Sequence, residues 1–276
     1  MRPVVERHGR AFTLVEMLVV IAIIAVLTSL LLPVISKVRD QSRTLAGLSN
    51  LRQIGIGMYL YAGDNNDFLP PGYLSKGGDS TNWAIAITPY VGGQGNTTNT
   101  VKHPMPAVFK DPNAAVDGGE LHYASNPILI PDMSRASSYG KDRYIRQFKL
   151  SQVRPTSEVI LIFDTAQRGG DNWSGQQVGW QMDGGLVYQD TSFFPRVPYL
   201  KKYKVDSPIV YNEAFNFDST GGGFPPGAYI RFRQRGGMGC NCLFADDHAE
   251  TMIKGQITQL NLRTDSNYNN IAKTKP

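Results

Sequence analysis

The sequence predicts an α+β fold, in which a long, kinked N-terminal α-helix packs on a loop-rich antiparallel β-sheet head. Three observations predict it. Nearly all of the uninterrupted apolar sequence lies in the first 35 residues of the 276, an amphipathic pattern follows directly, and the rest alternates short β-rich segments with glycine-rich stretches. The 28 glycines and 17 prolines favour turn-rich structure over a helical bundle. A net charge of +5, spread along the chain, is weak evidence for a nucleic-acid partner, so none is predicted.

The N-terminal segment combines a basic flank with an apolar run. Arg2, Arg7 and Arg10 outnumber the single acid Glu6 ahead of the run. From Phe12 the apolar stretch continues for roughly 20 residues, which as an α-helix would span the ~30 Å hydrocarbon core of a membrane. Because a basic flank stays in the cytoplasm, the remainder of the chain is expected to cross the membrane.

Three kinds of segment share this pattern: a secretory signal peptide, a plain membrane anchor and an anchor with a functional carboxylate. A signal peptide has small residues at a cleavage site after its apolar core, whereas this run is followed by Pro33, Val34 and Ile35. A plain anchor has no use for Glu16, since an unpaired carboxylate is costly inside a membrane. Alternatively, Glu16 lies near the cytoplasmic end and snorkels to the interface.

The segment GRAFTLVEMLVVIAIIAVL resembles the class III-type prepilin signal of type IV pilins and type II secretion pseudopilins. The resemblance implies that a prepilin peptidase cuts between Ala11 and Phe12 and methylates the new N-terminus of Phe12. The family usually has Gly before the cut, where this chain has Ala11. Glu16 takes the position of the family's carboxylate, and Pro33 that of the proline that kinks the helix in many pilins.

The physics of a membrane-embedded filament gives Glu16 a role. Cleavage would leave Phe12 with a protonated α-amino group at the membrane face. Glu16 of one subunit could then pair with the Phe12 ammonium of its neighbour. Such a pair removes two uncompensated charges from apolar surroundings, so we expect an assembly defect when Glu16 is lost.

The predicted organisation is a cytoplasmic leader peptide (1–11), an N-terminal helix (12–62) and an exported globular β-rich head (63–276). The helix divides into a transmembrane part (12–34) and an exported amphipathic part (35–62). Apolar residues at spacings of three, four and seven predict a stripe that packs on the head. They are Val34, Val38, Leu45, Leu48, Leu51, Ile54, Met58 and Leu60.

Polar and proline residues from Gly63 to Pro71 predict the end of the helix. Asp64 and Asp67 carry oxygen ligands that could help bind calcium, but an isolated D-N-N-D is more often a helix terminator and turn.

Three segments of the head are predicted strands. Ser157–Thr165 is rich in β-branched residues, as a buried strand is, and 229–235 alternates polar and apolar residues, as a half-exposed strand does. The third, 240–253, contains a turn around Asp246 and Asp247.

Glycine-rich stretches at 92–100, 169–179 and 221–227 are predicted loops. The loops at Gly92 and Gly221, together with four aromatic residues, are candidate surfaces for contact with other subunits or cargo. The aromatic residues are Tyr188, Phe193, Phe194 and Tyr199.

The C-terminal segment GMGCNCLFADDHAETM resembles the N-V-L-F-x-D-G-H-V-E segment of a large bacterial class of G-like pseudopilins, which is named for a His, nine residues and Asp-Gly. The matching residues are Asn241, Leu243, Phe244, Asp246, His248 and Glu250. Gly236 stands where the named His would be, and Asp247 replaces the Gly. A role tied to that His is therefore not carried over.

Asp246, Asp247 and His248 are of types that suit a metal site, and calcium is a candidate ion. As turn and edge residues of a hairpin they need no metal, so a structural role is predicted, with no metal and no cofactor. Cys240 and Cys242 alternate onto one face of a strand, where residues two apart rarely meet disulfide geometry, so packed or free thiols are predicted.

The combined prediction is a structural subunit and not an enzyme: a pseudopilin of a type II secretion pseudopilus or a type IV pilus-like filament. The resemblance implies three partners, namely the prepilin peptidase/methyltransferase, other pilin or pseudopilin subunits, and the inner-membrane assembly platform. It implies a single-pass protein of the bacterial inner membrane, with its head in the periplasm or on an extracytoplasmic filament. The alternative is a membrane-tethered exported binding or hydrolytic domain that uses a pilin-type anchor.

Overall fold

The chain divides into two compact units, residues 1–42 and 43–276. In the computed structural model, the described residues are 13–76, 79–93, 105–115, 121–126, 129–130, 133, 147–167, 218, 230–258 and 260–262.

Helix α1 runs from Leu14 to Asp64 and supplies nearly all of the described part of the first unit. Among the described residues it is the one helix long and apolar enough to cross a membrane. Two hydroxyls in its apolar part bond back to the helix, that of Thr28 to the Ile24 carbonyl at 2.8 Å and that of Ser29 to the Val26 carbonyl at 2.7 Å. Such internal bonds leave no hydroxyl unsatisfied in lipid.

Pro33 lies inside helix α1. A proline removes one backbone hydrogen bond and crowds the preceding turn, which is the usual cause of a kink. The kink itself stays a prediction.

The described part of the second unit contains two antiparallel sheets. A two-stranded sheet pairs β1 with β2, and a four-stranded sheet has the order β3-β4-β5-β6. This arrangement, with a long helix packed on antiparallel strands, confirms the predicted α+β fold. The strands are β1 (Tyr73–Lys76), β2 (Asp79–Asn82), β3 (Tyr123–Ser125), β4 (Ile160–Asp164), β5 (Gly239–Phe244) and β6 (Ala249–Ile253).

Burial explains the sequence character of the two central strands. Every residue of β4 and of β5 is buried, so both strands read as nearly continuous apolar runs rather than as alternating ones. The predicted strand at Ser157–Thr165 is confirmed as β4, and the predicted turn within 240–253 is confirmed between β5 and β6.

Short helices connect the strands. Helix α2 (Trp83–Ile87) begins after Asn82, whose side-chain oxygen accepts a hydrogen bond from the Ile85 backbone N–H at 2.9 Å. This is the usual role of Asn at a helix N-cap. Single 3₁₀ turns follow at Thr88–Val91, Ala107–Phe109, Leu150–Gln152 and Leu260–Leu262.

The second part of α1 lies against the head on a face different from the predicted stripe. Leu51, Ile54 and Met58 are buried as predicted, but Leu45 and Leu60 are 66% and 50% exposed. The stripe prediction is wrong for these two leucines and for Val34 and Val38, which are also exposed, because the buried face consists of other residues, many of them small. Its other buried members are Thr44, Gly47, Gly55, Gly57 and Ala62.

Helix α1 ends two residues beyond the predicted end. Asn66 and Asp67 have φ angles of 52° and 71°, a left-handed conformation that stops a helix. Asp64 accepts a hydrogen bond from the Tyr90 hydroxyl at 2.8 Å, and Asp67 accepts one from the Ser151 backbone N–H at 3.2 Å. Both carboxylates of the D-N-N-D segment thus have hydrogen-bond partners at the end of the helix, as the helix-terminator interpretation expects.

The strand predicted at 229–235 is wrong. Within its described residues, Ile230 makes a single bridge to Thr165, and Gln234–Gly237 forms a short helical turn. The alternation of arginine with apolar residues misleads because Arg231 and Arg233 point inward, with side chains only 16% and 3% exposed.

Candidate functional site

The start of helix α1 is closed by a reciprocal pair of hydrogen bonds. Glu16 Oε2 accepts from the Thr13 backbone N–H at 2.9 Å and from the Thr13 hydroxyl at 2.8 Å. Thr13 Oγ1 in turn accepts from the Glu16 backbone N–H at 3.2 Å. This is a capping box, which satisfies backbone donors that the first helical turn leaves unpaired. The Thr-x-x-Glu spacing in the sequence is the signal that could have identified it.

Several predicted site residues lie outside the described residues. Among them are the cleavage pair, Ala11 and Phe12, and the loops at 169–179 and 221–227. Of the loop at 92–100, the structure describes Gly92 and Gly93; Gly92 ends a 3₁₀ turn with a φ of 85°. The candidate contact aromatics Tyr188, Phe193, Phe194 and Tyr199 are outside as well.

A set of polar side chains, here called the buried polar cluster, lies where α1 meets the main sheet. Sequence reasoning missed it, because its members come from six separate segments of the chain. They are Thr44, Asp111, Asn113, Asp164, Asp218, Arg231, Arg233, Gln234 and Asn241.

Gln234 occupies the centre of the buried polar cluster. Its Nε2 donates to Asp164 Oδ2 at 2.8 Å and to Asp111 Oδ2 at 3.0 Å. Its Oε1 accepts from the Thr44 hydroxyl at 3.0 Å and from Asn113 Nδ2 at 2.6 Å. One fully buried amide therefore connects helix α1 to the end of strand β4.

Asn241 on β5 makes the second connection to the helix. Its Nδ2 donates to the Thr44 backbone carbonyl at 3.3 Å, and its Oδ1 accepts from the Thr251 hydroxyl at 2.7 Å. Its backbone N–H donates to Asp164 Oδ2 at 2.9 Å. Gly47 permits this approach, since an added Cβ would lie 2.8 Å from Asn241 Nδ2.

Two arginines balance carboxylates in the cluster. Arg233 lies 3.2 Å from Asp111 and 3.3 Å from Asp218, and Arg231 lies 3.4 Å from Asp218. Arg233 also donates to the Thr165 backbone carbonyl. Buried charges of this kind are retained only when they are paired and hydrogen-bonded, so the arrangement fixes structure rather than offering a reactive group.

The cluster perturbs two titratable groups of the sheet. Burial, followed by the nearby Asp111 carboxylate, raises the pKa of Asp164 well above its usual range. Burial raises the pKa of Tyr123 in the same way, with added repulsion from Asp111 and Asp164.

The three candidate metal ligands lie in and beside the β5–β6 turn. His248 Nδ1 contacts Asp246 Oδ1, and the His248 ring stacks on Phe244 with centroids 4.2 Å apart. Asp247 adopts a φ of 72° and directs its carboxylate at helix α1, where a Cβ added to Gly55 would lie 1.8 Å from Asp247 Oδ1. Burial raises the pKa of Asp247. Among the described residues, no group of three or more His, Cys, Asp and Glu side chains is placed to hold a metal ion.

Cys240 and Cys242 are buried free thiols, as predicted. Their sulfur atoms lie 3.9 Å apart on one face of β5. Burial raises the pKa of the Cys240 thiol well above its usual range, which keeps it protonated and unreactive.

Two comparisons with known families match the chain. Residues 7–32 match the prokaryotic N-terminal methylation motif, and residues 36–184, more than half of the chain, match a family described as protein of unknown function (DUF1559). No curated protein and no solved structure matches it. The motif supports the predicted prepilin-type signal and indicates a pilin-like protein that prepilin peptidase processes.

Proposed function

The chain belongs to the DUF1559 family, and from this membership together with its N-terminal methylation motif we propose that it is a pseudopilin, a structural subunit of a type II secretion pseudopilus or a related type IV filament. The observation that carries the proposal is the continuity of motif and helix. The matched motif extends from 7 to 32, and helix α1 begins at Leu14, two residues after the proposed new N-terminus at Phe12.

The exposure of the first part of α1 supports an assembly role. Its apolar side chains are exposed throughout, with Leu14 at 80% and Leu32 at 67%. Such a surface needs lipid or neighbouring helices to cover it. We propose that lipid covers it in the monomer and that other subunits cover it in the filament.

The capping box refines the proposed role of Glu16. Both hydrogen bonds from Thr13 go to Oε2 of Glu16, so Oε1 can accept a hydrogen bond from the Phe12 ammonium of a neighbouring subunit. One carboxylate would then cap its own helix and pair with its neighbour, because an ionised carboxylate has about four acceptor positions.

The first experiment tests processing. We expect mass spectrometry of the membrane-extracted protein to find a mature chain that starts at N-methylated Phe12. Ala11→Gly, which restores the family's usual residue, should be cut at least as well, whereas the bulky Ala11→Leu should accumulate uncut. A functional pool that still begins at Met1 would refute the proposal.

The second experiment separates pairing from capping. Glu16→Ala removes both roles, whereas Thr13→Ala removes the cap alone, at a cost of about 1 kcal/mol in helix stability. We expect Thr13→Ala to be processed and assembled, and Glu16→Ala to be processed but not assembled, as measured by subunit crosslinking per membrane-inserted molecule. Equal crosslinking of the two variants would show that Glu16 serves only as a cap or snorkels to the interface.

In the proposed function the head acts through contacts rather than chemistry. Its partners are the other subunits and the inner-membrane assembly platform, and it is carried on the periplasmic side or on an extracytoplasmic filament. A membrane-tethered binding or hydrolytic domain would keep its activity when filament assembly is blocked. Loss of function in a processed, inserted Glu16→Ala variant therefore distinguishes the two.

A further inference from the structure

The charges of the buried polar cluster balance only if one of its carboxyl groups is neutral. Its cations are Arg231 and Arg233, which lie within 3.4 Å of Asp218 and within 3.2 Å of Asp111, respectively. Two guanidinium groups thus balance two carboxylates. A third ionised carboxyl, that of Asp164, would leave an excess negative charge in a site shielded from water, which is unfavourable.

Asp164 is also the carboxyl whose contacts suit a neutral acid. Its Oδ2 accepts from two neutral donors, Gln234 Nε2 at 2.8 Å and the Asn241 backbone N–H at 2.9 Å. Its Oδ1 is buried and has no hydrogen-bond partner within the described part of the chain. Asp164 itself is completely buried.

We propose that Asp164 is a neutral carboxylic acid at neutral pH, and that loss of its proton at alkaline pH loosens the junction between helix α1 and the sheet. The route to the helix is short. Gln234 and Asn241, which donate to the carboxyl group of Asp164, also bond Thr44 on α1, Gln234 through the Thr44 hydroxyl and Asn241 through the Thr44 backbone carbonyl. A charge on Asp164 therefore acts directly on both connections.

Two titratable groups beside Asp164, Tyr123 and Cys240, stay neutral over the pH range of the test. Tyr123 lies directly opposite on β3 and Cys240 adjoins on β5; burial raises the pKa of both above their usual values, so both stay neutral. Among the described residues, the titratable and charged groups that face Asp164 or adjoin its neighbours are Asp111, His122, Tyr123, Asp218, Arg231, Arg233 and Cys240.

The sign of the pH dependence follows from the raised pKa. The folded protein keeps a proton that an unfolded Asp, with a pKa near 3.9, has lost. Stability should therefore fall as pH rises from about 4 toward the folded pKa, with the unfolding constant increasing up to tenfold per pH unit. Asp164→Asn has no such proton, yet it keeps the shape and the acceptor oxygen of the neutral acid.

The test compares urea unfolding of the wild-type chain and of Asp164→Asn in detergent micelles, from about pH 5 to about pH 8. We expect the ratio of the wild-type to the variant unfolding constant to increase with pH by up to tenfold per unit. Glu158→Gln, which removes an exposed carboxyl, should show no such divergence. Parallel curves for wild type and Asp164→Asn would overturn the proposal.

A second measurement needs no unfolding and decides the matter if Asp164→Asn does not fold. We expect the infrared spectrum of the folded wild-type protein at neutral pH to contain the carbonyl stretch of a protonated carboxyl group, and the band to disappear at alkaline pH. Absence of this band at neutral pH would overturn the proposal.

Discussion

Replacing Gly47 by Ala tests how closely helix α1 approaches the sheet. The new Cβ would lie 2.8 Å from Asn241 Nδ2 and 3.4 Å from Asp111 Oδ1. Asn241 cannot turn aside freely, because its amide donates to the Thr44 carbonyl at 3.3 Å and accepts from the Thr251 hydroxyl at 2.7 Å. The helix, the amide or both must therefore shift.

The expected change in the free energy of unfolding combines one stabilising effect with two destabilising ones. Helix propensity favours Ala over Gly by about 1 kcal/mol. Overpacking costs ~1–3 kcal/mol, and a buried amide that loses its partners costs a further ~1–3 kcal/mol. We expect Gly47→Ala to lower the free energy of unfolding by about 2 kcal/mol. Gly63→Ala, on the same helix with no atom within 4 Å of its Cβ, should instead raise it by about 0.5–1 kcal/mol.

The assay is urea unfolding of the full chain in detergent micelles, followed by tryptophan fluorescence. Trp83 contributes to the signal, since it is buried in the head core and its ring lies 5.9 Å from that of Phe109. If Gly47→Ala and Gly63→Ala proved equally stable, the contact with Asn241 would not constrain the helix and the reasoning would be wrong.

Three further predictions concern the β5–β6 hairpin. Asp247→Gly should raise the free energy of unfolding by about 1 kcal/mol in the same assay, because glycine adopts a φ of 72° without strain and a buried oxygen is removed; a decrease would contradict this. Gly55→Ala should cost less in the Asp247→Gly background, since its nearest contact, at 1.8 Å, is Asp247 Oδ1; a double-mutant cycle measures the difference, and equal costs would exclude the contact. Cys240 and Cys242 should react with a thiol reagent only as fast as the head unfolds, and rapid labelling of the native protein would contradict their burial.

Patterns local in sequence predicted much of the fold. The apolar run predicted the first part of α1, and the β-branched residues of Ile160–Asp164 predicted strand β4, because both signals depend on neighbouring residues. The sequence predicted only the large apolar residues of the buried helix face and not the small ones. Gly47 and Gly55 are buried because the sheet approaches closely, and this distance is a tertiary property that periodicity does not contain.

The buried polar cluster could not be read from the sequence for a related reason. Arg231 and Arg233 alternate with apolar residues, a pattern that indicates a strand with a solvated face. Their carboxylate partners, Asp111 and Asp218, come from other segments of the chain, so the alternating pattern itself did not indicate burial. The Thr13–Glu16 capping box, by contrast, is local, and its Thr-x-x-Glu spacing is visible in the sequence.

Several hydrogen bonds between helix α1 and the head connect residues that are far apart in the sequence. Three such hydrogen bonds connect Thr44 with Gln234, Arg52 with Ala249, and Tyr59 with Ala245, across 190, 197 and 186 residues. If the basic flank stays in the cytoplasm and the chain crosses the membrane in order from α1 onward, the buried side of the helix is exported long before the β5–β6 hairpin that covers it. Folding must wait until almost the whole polypeptide has been translocated. Contacts between residues so far apart in the sequence also form slowly. Under the proposed topology, the newly exported chain therefore exposes apolar surface that is prone to aggregation during that interval.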